Sequence, residues 1–291
     1  MAASATKEQS HARTFEPLRT VITRQVAEIR ATEPGVVERL DPDCVHDMRV
    51  AVRRLRSLLR TSRRALDTDW VAEQRADLAW LGDRLGAVRD LDVLIARLKT
   101  DGETLDGGDA ALIGRLLRPL DKEREGRRAE LRAALEDPRY QRLLEAIDTA
   151  SIALPISDTA KPFRQLVAKE VKRLRKRGRT TRSSSNAELH KHRIRVKRAR
   201  YAVEALQEKD QGETAQFVRR AEKLQDVLGD HQDAVVARRQ LRRLARINDD
   251  IGAAVVAGRL LERQQQQIAA SRRRLPKRRK RLDASGRKAW R

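Results

Sequence analysis

The chain has 291 residues, with 65 Lys plus Arg against 42 Asp plus Glu, a formal charge of +23 and an isoelectric point near 11.1. Such a balance points to a polyanionic partner, while an aromatic content of 3% leaves few platforms for stacking the bases of single-stranded nucleic acid. The single cysteine, Cys44, excludes a disulfide framework and a cysteine-based zinc site.

Apolar residues recur at helical rather than alternating spacing, which predicts an all-α protein. Helices are expected over 12–31, 43–66, 70–99, 109–136 and 138–150, punctuated by Glu33-Pro34-Gly35, Asp67-Thr68-Asp69, Asp101-Gly102 and Asp137-Pro138. After a break at Leu154-Pro155, helices resume over 161–178, 187–209, 213–246 and 249–274. A flexible loop from Arg179 leads to Asn186, the expected N-cap of the helix that follows. From 275 to 291 the chain is dense in Arg and Lys and reads as a basic, disordered tail. No run of about 18 apolar residues occurs, and Met1 to His11 lacks the apolar stretch of a signal peptide, so a cytoplasmic protein without membrane insertion is expected.

The second half echoes the first. Phe15 with Leu18 recurs as Phe163 with Leu166, Leu85-Gly86-Ala87-Val88-Arg89-Asp90 as Leu228-Gly229-Asp230-His231-Gln232-Asp233, and the helix starting near His46 as the one starting near His190. Near-constant offsets in the same order indicate duplication of a multi-helix unit. One domain over 12–274 follows, with halves at about 12–150 and 161–274 joined by a linker at 151–160. The expected architecture is two pseudo-twofold-related bundles of about four helices each, facing across a basic central cleft or pore.

The duplicated helix carries the chemistry. Val45 to Arg56 and Leu189 to Arg200 each carry a His, then Arg at +3, cations at +7 and +8 and Arg at +10. At 100° per residue, His46, Arg49, Arg53, Arg56 and Arg60 share one stripe, and Val52, Leu55 and Leu59 face the other way. Each step rises about 5 Å, so the ladder offers cations along about 20 Å, enough for a linear phosphate chain. Arginine's planar fork suits phosphate oxygens, and histidine adds a pH-sensitive cation. A lone helical arginine is ordinarily a solvated or ion-paired surface residue; the repetition of the register in both halves favours function over that reading. His192 and His231 have no counterparts and carry no assigned role.

These segments, each followed by a Leu-Gly-x-x-x-Asp helix, resemble the CHAD domain, a helical family named for its histidines, over about Arg13 to Arg272. The resemblance implies binding of inorganic polyphosphate and localisation to polyphosphate granules. Carried over position by position, its residues are His46, Arg49, Arg53, Arg54 and Arg56, and His190, Arg193, Lys197, Arg198 and Arg200, with Arg60 as a further rung. Arg89, Lys169, Lys172 and Lys176 form a second tier of phosphate-binding candidates. Departures are Gln232 at the place of Arg89 and Glu204 at the place of Arg60, which shortens the second ladder.

Catalysis finds little support. Glu123-Arg124-Glu125-Gly126-Arg127 lacks the final Lys of the triphosphate tunnel signature and lies in a helical stretch. Asp90 and Asp92 do not share a helix face, and no Gly-rich phosphate loop ending in Lys-Ser or Lys-Thr occurs. Asp90 and Asp233 are expected to hold the basic helices in place. The reading is a non-catalytic polyphosphate-binding module without cofactor or metal; a nucleic-acid or nucleoid-associated protein is the alternative, and a polyphosphate hydrolase a third.

Overall fold

Helix follows helix with short turns, and the helices that begin at Pro42, Thr68, Pro138, Asn186 and Ile251 start at a side-chain cap. Asp41 accepts hydrogen bonds from the backbone N–H groups of Asp43 (3.0 Å) and Cys44 (2.9 Å), and Pro42 occupies the first turn, where no amide is needed. Asp67 does the same for Trp70 (2.8 Å) and Asp137 for Arg139 (2.8 Å). The computed structural model describes residues 2–105, 110–157, 159–177, 180–206 and 212–290, without the side chains of 2–13 and 177. Among them run α1 (Ala2–Arg39), α2 (Pro42–Ser62), α3 (Thr68–Glu103), α4 (Ala110–Glu136), α5 (Pro138–Ile152), α6 (Phe163–Arg177), α7 (Asn186–Glu204), α8 (Glu213–Ile247) and α9 (Ile251–Ala289). The protein is all-α, as expected; the predicted helix limits at 109, 178 and 209 and the loop start at Arg179 lie outside the described residues.

Three expectations are corrected. Glu33-Pro34-Gly35 does not end a helix: α1 continues to Arg39, because Val36 and Leu40 are buried and Gly35 packs on the Cys44 side chain where any Cβ would collide. Tertiary packing there outweighs the unfavourable propensity of Pro and Gly. The cap of α7 is Ser185, one residue before Asn186: Ser185 Oγ accepts from Glu188 N (3.2 Å) and Glu188 returns the bond to Ser185 N (2.7 Å). Asn186 instead accepts from Arg272 Nη2 (2.8 Å).

The third correction concerns the tail. Residues 275–289 are the last turns of α9, with Leu275 and Leu282 buried and Trp290 edge-on to Phe217 at 5.7 Å. Ile268, Leu275 and Leu282 lie seven residues apart, a sparse apolar stripe hidden among arginines that needs α8 to bury it. Arg272 and Arg279 then reach back to the loop before α7. Arg272 Nη1 donates to the carbonyls of Arg182 (2.6 Å) and Ser184 (2.7 Å), and Arg279 Nη1 to that of Thr180 (2.8 Å).

Both apolar clusters draw on both halves. The larger joins α1, α2 and α5 to α6, α7 and the ends of α8 and α9; the smaller packs Leu94 and Leu98 of α3 and Leu116 and Leu120 of α4 against Leu241, Leu244 and Leu260 of α8 and α9. The linker is stitched down as well, with Asp67 N donating to Pro155 O (2.8 Å) and Ser157 N to Ala65 O (3.0 Å). The α2 and α7 helices touch each other directly, which sets their basic stripes side by side.

His192 and His231 are buried, and burial pushes both down to about 4, so both are neutral in the folded protein near pH 7. An unfolded histidine takes up its proton near 6.5. Stability contributed by the neutral forms is therefore present above that value and is lost as pH falls from about 6.5 towards 4. Urea denaturation across this window is expected to show that loss, and His192→Leu to flatten it. Leu282→Ala is expected to cost about 2–5 kcal/mol and to lower the melting temperature; an unchanged transition would mean that the end of α9 does not contribute to the fold.

Candidate anion-binding site

The stripe of α2 and that of α7 meet in one cleft of about 670 Å³. His46, Arg49 and Arg53 line it from α2, and His190, Arg193 and Lys197 from α7. Arg89, Asp90 and Arg97 of α3, Arg127 of α4 and Asp233 and Arg239 of α8 complete much of the wall. Arg49 and Arg193 thus look into the same space. Of the sequence candidates, the cleft gathers His46, Arg49, Arg53, Arg89, His190, Arg193 and Lys197.

The Leu-Gly-x-x-x-Asp motif is explained by the seat of Arg49. The guanidinium lies over buried Gly86, where a Cβ would stand 3.5 Å from Nε and Nη2, and reaches Asp90 one helical turn on, with Nη2 to Oδ1 at 2.8 Å. Glycine makes room and the carboxylate fixes direction. In the second half Asp233 faces Arg193; burial raises the Asp233 carboxyl above its ordinary range, and Arg193 and Arg97 pull it back. Arg53 is oriented by donating from Nε to Tyr201 Oη (3.1 Å).

Cations outnumber carboxylates here, and the charge shows in the titrating groups. Lys197 is pushed down to about 6, first by burial and then by Arg53, Arg193 and Arg49. Burial, followed by Arg89, lowers His46. Burial also lowers Arg193, although Asp233 opposes it. Among the described residues, the Nε groups of Arg89 and Arg193 are buried donors with no hydrogen-bond partner. Each of these features is relieved by an anion in the cleft.

The family profile described as CHAD domain matches residues 20–242. The chain belongs to the CHAD domain family. That family is associated with polyphosphate-related proteins. Among solved structures, the CHAD domain of the plant Ricinus communis superposes with a TM-score of 0.71 at 29% identity, covering 94% of this chain and 91% of that one. PptA from Streptomyces chartreusis shares the fold, with a TM-score of 0.77 at 20% identity over 91% of this chain and 98% of that one. The uncharacterized proteins Rv2226 and MT2285 of two Mycobacterium tuberculosis strains are each 30% identical over 243 residues, 78% of this chain. The chain spans 45% of the length of these curated relatives.

Within this CHAD fold the remaining candidates lie elsewhere. Glu204, the residue that interrupts the second ladder, sits 3.9 Å from Arg54 and 2.9 Å from Arg200, and Arg200 also meets Glu222 at 3.3 Å. Both arginines lie over the Tyr201 ring, at 5.5 and 5.0 Å; Arg54 thereby joins α2 to α7, while Arg200 stays on its own helix and ties it to α8 through Glu222. Arg198 pairs with buried Glu170 at 3.2 Å. Arg56 and Arg60 leave the cleft and join Arg63, Arg75 and Arg198, which together lower the Arg60 and Arg75 guanidinium groups after burial has done so. Lys169, Lys172 and Lys176 are exposed on α6 and do not line the cleft.

Three cleft cations escaped sequence reading. Arg97 continues the face of Arg89, two helical turns on, and Arg239 that of Gln232, so extending the periodicity past the motif would have found both. Arg127 comes from α4, whose approach to the cleft no local signal announces.

Lys197 gives the sign of a stability test. Its folded-state value of about 6 lies well below that of an unfolded lysine, so the unfolded chain binds the extra proton and stability rises with pH between about 6 and 10. Lys197→Met is expected to raise stability near pH 7 by a few kcal/mol and to reduce that slope, read by denaturant titration at several pH values.

Proposed function

We propose that the chain is a non-catalytic module that binds inorganic polyphosphate in the cleft between α2 and α7. The observation that carries this reading is the convergence of Arg49, Arg53, Arg193 and Lys197, from both duplicated helices, on one cleft whose cations exceed its carboxylates. Arginine forks supply bidentate contacts to successive phosphates, and release of the counterions condensed on the chain adds a salt-sensitive driving force. The cleft carboxylates are engaged structurally. Asp90 holds Arg49 at 2.8 Å and Glu123 meets Arg243 at 2.8 Å, an arrangement that supports orientation of cations over assembly of a metal site. Membership of the CHAD family supports the same ligand, and recruitment to polyphosphate granules in the cytoplasm follows as the cellular role. Among the described residues no helix is long and apolar enough to cross a membrane.

Long-chain polyphosphate is expected to raise the melting temperature at low salt, since it binds only the folded state and neutralises self-repulsion. Arg49→Gln with Arg193→Gln is expected to weaken binding at least tenfold, and orthophosphate is not released with or without a divalent metal. A polyphosphate that leaves melting unchanged, or duplex DNA that displaces it at matched phosphate concentration, overturns the assignment.

The cleft also couples binding to protons. An anion raises the Lys197 pKa from about 6, so a proton is taken up on binding and affinity falls as pH rises above that value. The fall approaches tenfold per pH unit at its steepest, and Lys197→Met removes most of it in binding isotherms recorded from pH 6 to 8.

A further inference from the structure

A second concave basic surface lies on α8 beyond the cleft. Arg238, Arg242 and Arg246 form one row at four-residue steps and Arg239 and Arg243 a parallel row beside it, lining a groove of about 500 Å³. Each step is about 6 Å along the helix. The groove floor is apolar, with Val235 of α8 and Ile268 of α9. Among the described residues, Arg243 alone of the five has a carboxylate partner, Glu123 at 2.8 Å. Arginines elsewhere on the surface are commonly matched, as Arg115 is to Asp250 at 2.6 Å and Arg263 to Asp101 at 2.7 Å. A concave row of unmatched arginines repels itself, and nothing in the packing requires it, since Arg239, Arg242 and Arg246 are exposed.

The groove adjoins the cleft. Arg239 lines both, and Glu123 lines the cleft while pairing with Arg243 of the groove. From Arg239 to Arg246 the cations follow α8 for about 10 Å. No aromatic side chain lines the groove, so it offers arginine forks for phosphate oxygens and no platform for bases. We propose that this α8 groove is a second phosphate-chain site, in which a polyphosphate already held in the cleft continues past Arg239 and is gripped by Arg238, Arg242 and Arg246. The inference rests on the cleft reading above. Once one end of a chain is seated, its next segment meets the groove at high effective concentration, so only chains long enough to pass Arg239 gain from it.

The test compares tripolyphosphate with long-chain polyphosphate on the full chain and on the triple variant Arg238→Gln, Arg242→Gln, Arg246→Gln. For the triple variant, tripolyphosphate affinity is expected to stay within about twofold of the parent, long-chain affinity to fall at least tenfold, and the logarithmic salt slope for the long chain to drop by about 2, at roughly 0.7 per lost charge. An unchanged melting temperature without ligand verifies that the variant folds. If the variant binds both ligands like the parent, the groove is no site and the cleft reading stands. If both affinities fall equally, the arginines act only through their general field, and the inference fails. If the variant loses duplex DNA binding and keeps long-chain polyphosphate, the groove serves nucleic acid and the inference is overturned. If the parent itself binds neither polyphosphate, the cleft reading falls and the groove inference with it. The cleft variant Arg49→Gln with Arg193→Gln supplies the converse: it should lose tripolyphosphate and retain weak, groove-dependent binding of the long chain.

Discussion

Repulsion among cations held in a partly dehydrated cleft is the constraint around which this molecule is arranged. Arg49, Arg53, Arg193 and Lys197 are brought together by α2 and α7, and burial plus mutual repulsion moves Lys197 down to about 6. Left alone, such a group of charges would drive the helices apart. Two devices oppose this. Asp90 and Asp233, each placed one turn after a Leu-Gly pair, face Arg49 and Arg193; and the apolar faces of the same helices are sealed into a cluster that runs through both halves of the chain. The residual imbalance is what an anion would relieve, so the folding problem and the candidate site share one origin.

The partition of the ladder follows from the same logic. Of the ladder cations outside the cleft, Arg54, Arg198 and Arg200 are paired within the protein: Glu204 takes Arg54 and Arg200, Glu170 takes Arg198, and the Tyr201 ring receives two guanidinium groups. Those that face the cleft outnumber the carboxylates beside them, Asp90, Glu123 and Asp233. One repeated motif therefore supplies both the joint between helices and the surface beside it. The α9 helix serves the site from a distance, because Arg272 and Arg279 fasten the loop from which α7 departs.

Much of this was legible in the residues. The helices, their order and most of their boundaries follow from apolar periodicity and from Asp and Pro at the turns. The stripe from His46 to Arg53 and its counterpart from His190 to Lys197 follow from 100° spacing alone. What misled was local chemistry read without neighbours. Pro34-Gly35 has the composition of a turn, yet buried Val36 and Leu40 carry the helix through it. The stretch after 275 has the composition of a disordered tail, yet Leu275 and Leu282 find a surface on the bundle.

The sequence by itself determined that the protein is helical and strongly basic, and that two of its helices carry the same His-Arg pattern, because these properties reside in composition and in spacing along a single helix. Tertiary structure decided which cations share a space. Arg56 and Arg60 lie on the same stripe as Arg49 and Arg53 but beyond the reach of the cleft, while Arg127 and Arg239 enter it from helices distant in sequence. The physical reason is that periodicity fixes the direction a side chain takes from its own axis, whereas the crossing of α2 with α7 and the approach of α3, α4 and α8 are set by how two apolar clusters close.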